Sequence, residues 1–147
     1  MGTISAGEGN SGYVQAGVLS PMIWRVLSTI ALLAMGGIHL FLVFDGVGGV
    51  LGVLFVLNAI GALVLAIAVM AAPRRLLWIA AVLGLLFLLG TLLALVLALT
   101  VGLFGITETL DFTLVPTTLV VESIGVIVLA VTSALAWRMQ RALAAHG

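Results

Sequence analysis

One carboxylate lies inside an apolar run long enough to cross a bilayer. It is Glu122, within Thr117–Trp137, TTLVVESIGVIVLAVTSALAW. An ionisable group in such a run is costly and marks a functional site by default. It can carry a proton, ligate a metal or oppose a substrate charge. The structural alternative is a neutral carboxyl, favoured by the low dielectric, that hydrogen-bonds a neighbouring helix. His39, in GGIHLFLVF, is a second intramembrane titratable group. It precedes Asp45 by six residues, about 9 Å along a helix, and Glu122 follows Pro116 by the same interval. Two such groups at one depth on the first and last helices of a bundle can meet and share a proton. The alternative is a single hydrogen bond fixing those helices together.

Asn58, in FVLNAIGA, is the third polar side chain, on a face that carries Ala62 one turn on. An interhelical hydrogen bond is the expected role. His39, Asn58 and Glu122 thus form the candidate polar intramembrane centre. Thr91 and Thr100 can bond their own backbone carbonyls and require no further role. Gly36 lies three residues before His39, and Gly125 three after Glu122. Each opens space that suits close helix packing or a small cavity. Gly48 and Gly52 give a GxxxG spacing. GVGGVLG is no phosphate cradle, because no strand precedes it and no Lys-Ser/Thr follows. The segment GLFGITETLDFTLVP mixes Glu108 and Asp111 with large apolar residues. It reads as an interfacial connector, with a lid or docking loop as its functional alternative.

These groups exclude several chemistries. Bis-His haem ligation needs a second intramembrane histidine, and His146 falls in the terminal tail. A zinc site needs three or four protein ligands, whereas His39 and Glu122, the only candidates for a metal, supply two. Ser123 adjoins Glu122 but points about 100° away around a helix, so no Ser-His-acid triad forms. No cofactor motif is present.

The elements that position these residues follow from composition. The chain is 64% hydrophobic and 7% charged. A soluble domain averages about 25% charged, so the solvent of this chain is lipid. It has no cysteine, hence no disulfide framework, thiolate site or cysteine nucleophile. Its formal net charge is zero, which gives no basis for nucleic-acid binding.

Charged residues punctuate four apolar runs. With roughly 20 residues needed per crossing, they predict helices over 24–44, 50–72, 76–101 and 116–137. Backbone amides in lipid need internal partners, so the runs are helical. Short connections make successive helices antiparallel neighbours. The expected architecture is all-α, a polytopic transmembrane four-helix up-down bundle over 23–138. A polar flexible tail over 1–22 precedes it and a cytoplasmic tail over 139–147 follows. The tail lacks a signal peptide's basic n-region, so the first apolar run is expected to stay as a signal anchor. Arg25, Arg74, Arg75, Arg138 and Arg141 all fall on one side of this layout, and Asp45, Glu108 and Asp111 on the other. Basic residues stay cytoplasmic, so both termini are expected inside, in a bacterial plasma membrane. Trp24, Trp78 and Trp137 lie at the same ends as the arginines, where indoles favour the headgroup layer.

GGIHLFLVFD, LFVLNAIGALVLAIA and TVGLFGITETLDFTLVPTTLVVESIGV resemble small, uncharacterised four-helix integral membrane proteins of actinobacteria. The resemblance covers most of 24–137 and carries over His39, Asn58, Glu108 and Glu122. It implies topology and lineage and no activity. Two functions follow from the residues. The first is a non-enzymatic accessory or interaction subunit, with a membrane-protein partner or a second copy, which predicts small residues on its lipid face. The second is a small transporter or proton/metal conduit built on His39 and Glu122, which predicts a polar cavity opening outward.

Overall fold

The computed structural model describes residues 10–102, 107, 109 and 114–145, with side chains described from Pro21 onward. It is all-helical: α1 (Asn10–Phe44), α2 (Gly49–Ala71), α3 (Leu77–Thr100) and α4 (Val115–Ala144). Each contains a stretch long and apolar enough to span a bilayer, that of α1 being Pro21–Phe44. α1 begins at Asn10, so helix extends into the stretch read from sequence as a polar lead-in. Glu108 and Asp111, with the lid or docking role considered for them, lie outside the described residues, as does His146.

Glycine and proline set the helix ends. α1 closes with paired bonds from Gly46 N to Val43 O (3.3 Å) and Val47 N to Leu42 O (3.0 Å). Gly46 takes φ 107°, the left-handed conformation this double closure requires. Pro73 follows α2, where the missing N–H stops propagation. Pro116 lies in the first turn of α4, where a proline N–H would have no partner in any case. Leu114, just before it, holds φ 67°, rare for a residue with a Cβ.

Specific contacts fix the antiparallel order. Arg25, near the start of the α1 span, donates from Nη1 to Met70 O (3.3 Å) and from Nη2 to Ala72 O. It satisfies carbonyls that the end of α2 leaves open, and its charge opposes the negative end of that helix dipole. At the same end of the bundle, the Trp78 and Trp137 rings meet edge-on with centroids 5.1 Å apart. Arg141 lies over Trp137 at 5.0 Å, a cation–π contact. This basic, indole-rich end brings together the start of the α1 span, the end of α2, the start of α3 and the end of α4. Asp45 lies at the opposite end.

The helices form a ring in which α1 packs on α2 and α4, and α3 packs on α4. The α2–α3 seam is the most sparsely packed of the four sides. Lipid tails are as apolar as leucine, so close backbone approach and polar bonds drive this packing. A Cβ on Gly36 would stand 2.8 Å from the Ala62 Cβ, which places the α1–α2 crossing at that pair. A Cβ on Gly125 would meet Leu88 Cδ1 at 2.7 Å. Both glycines therefore serve close packing. The GxxxG pair does not join helices within the chain. Gly48 faces open space, and Gly52 packs on the carbonyl of Val47. Thr132 of α4 clamps α1, its Oγ1 lying 2.8 Å from Ser28 Oγ and 3.4 Å from Trp24 O.

Candidate functional site

Glu122 is 1% exposed and projects inward from α4. Thr118 lies one turn before it on the same face, as i and i+4 positions must. α1 contributes His39, 8% exposed, whose ring meets Phe55 of α2 edge-on at a centroid distance of 4.8 Å. Asn58 is one turn along α2 from Leu54, and Thr91 faces Glu122 from α3. All of them line one cavity of about 560 Å³, in the half of the bundle nearer Asp45, to which all four helices contribute. The three polar residues singled out in the sequence thus share one space.

They do not bond one another. Neither carboxyl oxygen of Glu122 has a partner at full hydrogen-bonding distance, the Thr91 hydroxyl acting on the carboxyl from farther off, and Asn58 Oδ1 has none either. The His39 Nδ1–H donates to Met35 O of its own helix (3.0 Å). That carbonyl can only accept, so the bond fixes the tautomer and leaves Nε2 as the acceptor of the neutral ring. The direct His39–Glu122 bond and the interhelical bond from Asn58, both considered from sequence, are not seen. Thr91 donates to Leu88 O at 3.0 Å, and Thr100 to Val96 O at 2.8 Å, so both bond their own helix as expected. Among the described residues, no three His, Cys, Asp or Glu side chains cluster as a metal site would require.

The rest of the lining is apolar, with Leu51, Phe55, Leu57, Leu86, Phe87 and Leu95 as walls. Leu57 and Leu86 are also exposed on the outside of the bundle, at 58% and 59%. They flank the sparse α2–α3 seam, so the cavity opens sideways there, toward acyl chains. Toward the basic end it closes. Leu32, Leu88 and Leu129 are fully buried and form an apolar layer. That layer separates the cavity from the Ser28–Thr132 pair.

Thr118, Phe55 and Phe87 were not singled out in the sequence. Thr118 was legible through its i, i+4 relation to Glu122. The aromatic rings were not, since an apolar residue in an apolar helix carries no mark of the direction it faces. Comparison with known protein families, curated proteins and solved structures finds no match for this chain.

Proposed function

We propose that this membrane protein is a non-enzymatic binder of a small, largely apolar molecule. The ligand reaches the cavity from the bilayer through the α2–α3 seam. The observation that carries this reading is the Glu122 carboxyl, almost wholly buried and without a partner, on a residue that lines a cavity with room for a ligand. An orphaned buried polar group costs about 1–3 kcal/mol, a cost that a bound polar group would offset. Volume and lining agree. Ligand sites are typically about 300–1,000 Å³, mostly apolar, with a few converging polar groups.

The same features weigh against a proton or metal conduit, which needs polar groups through the full thickness, because the Leu32, Leu88 and Leu129 layer interrupts them. An accessory subunit would keep small residues on its lipid face. Gly37 of α1 and Ala130 and Ala134 of α4 are exposed there, while the outward residues of α2 are bulky, so it is the cavity that favours the binding reading. By charge sorting, both termini are cytoplasmic and the cavity lies in the outer half of the membrane; the resemblance noted above implies an actinobacterial plasma membrane.

Photolabelling in phosphatidylcholine nanodiscs tests the reading. The probe is a hydroxyl-ended alkyl diazirine, and labelled peptides are mapped by mass spectrometry. Saturable labelling of residues 54–58 and 86–94, abolished by Ala94→Trp, is the expected result. Uniform, unsaturable labelling around the bundle would refute it.

A further inference from the structure

Every polar group around the cavity can be assigned as a donor or an acceptor. Both Glu122 oxygens and Asn58 Oδ1 are without a partner at full hydrogen-bonding distance. The Thr91 hydrogen is spent on Leu88 O at 3.0 Å, and the Thr118 hydrogen on Leu114 O at 2.8 Å. Those hydroxyl oxygens keep lone pairs free. The His39 Nδ1 hydrogen goes to Met35 O, so Nε2 of the neutral ring is another acceptor. The Asn58 Nδ2 amide is a neutral side-chain donor left in the lining. Unliganded, the buried Glu122 carboxyl is neutral and its own O–H is a donor. A cation bound beside it stabilises the carboxylate, and the cavity is then a set of acceptors inside apolar walls.

We infer that the cavity selects ligands whose polar end is a multiple hydrogen-bond donor, namely a primary ammonium on an alkyl or aryl body. This rests on the binding reading above and specifies its ligand class. A primary ammonium brings three N–H donors and a positive charge, enough to serve Glu122 and Asn58 together. The acidic partner makes those bonds charge-assisted, about twice as strong as neutral ones. Hydroxyl ends supply one donor. Quaternary ammonium ends supply charge but no donor, so they match the carboxylate and leave Asn58 Oδ1 unserved. The body packs against Phe55, Leu57 and Phe87. A tail longer than the cavity leaves through the α2–α3 seam into the bilayer, so chain length is weakly selected. An acidic head group has no donor array or cation to meet here, and is rejected.

The test uses full-length protein in neutral phosphatidylcholine nanodiscs and three probes that share one alkyl-diazirine body. They end in a primary amine, a trimethylammonium or a hydroxyl. The expected half-saturation of cavity labelling by the amine is roughly tenfold lower than by the hydroxyl, and also lower than by the trimethylammonium. Glu122→Gln should remove the amine's advantage while leaving hydroxyl labelling in place. Glu122→Asp should keep part of it. The preference is a ratio between probes on one sample, so a variant that misfolds loses saturable labelling by all three and is recognised as such. Equal half-saturation by amine and hydroxyl, an advantage untouched by Glu122→Gln, or parity with trimethylammonium overturns the ammonium assignment and leaves the binding reading standing. Unsaturable labelling by all three probes on the unaltered protein overturns the binding reading itself.

Discussion

Glu122→Leu should make the protein more stable. Both carboxyl oxygens are buried without partners, and an unsatisfied buried polar group is worth about 1–3 kcal/mol of destabilisation. Leucine removes that penalty, and the adjacent cavity leaves room for its branch, so overpacking adds little. The expected gain is about 2 kcal/mol, roughly a 30-fold change in the folded-to-unfolded ratio. Reversible unfolding by sodium dodecyl sulfate in dodecyl maltoside micelles measures the change. The contact between Trp78 and Trp137 at the basic end gives a fluorescence signal remote from the substitution. The same variant should lose selective amine labelling, so stability and binding move in opposite directions. A Glu122→Leu protein less stable than the original by a kilocalorie or more would refute the argument. It would mean the carboxyl is satisfied in the folded state and acts as interhelical glue.

Three further outcomes follow from the packing and the topology. Gly36→Ala drives a Cβ to 2.8 Å from that of Ala62, so it should destabilise the bundle by about 1–3 kcal/mol. Ala62→Gly in the same chain should restore much of the loss, read as a double-mutant cycle in the same unfolding assay. The Ser28–Thr132 bond should show a coupling of about 0.6 kcal/mol, and no more than about 1.7, between Ser28→Ala and Thr132→Val, in line with interhelical bonds elsewhere in lipid. The chain has no cysteine, so single cysteines report orientation cleanly. In intact cells a membrane-impermeant maleimide should label Asp45→Cys and should reach Leu143→Cys only after permeabilisation; the reverse pattern would invert the assigned topology.

Composition and charge placement were enough to determine four lipid-embedded helices, because an apolar run of this length has no other stable form in a bilayer. The positions of the arginines and tryptophans likewise gave their common end, seen in the Arg25 bonds to the end of α2 and the Trp78–Trp137 contact. The rare polar residues stood out for the same reason, since Glu122, His39 and Asn58 are conspicuous against an apolar background. What each of them faces was not legible. α2 and α3 are apolar all round, so no periodicity separates a wall of the cavity from a side chain in the bilayer. Rotation of the helices therefore came only from tertiary packing. Packing closed Gly36 and Gly125 against Ala62 and Leu88, and it left the opening at the α2–α3 seam instead. It also decided that Glu122, Asn58 and His39 share a cavity without bonding one another. A missing partner is a property of distances in three dimensions, and residue order along a helix does not encode it.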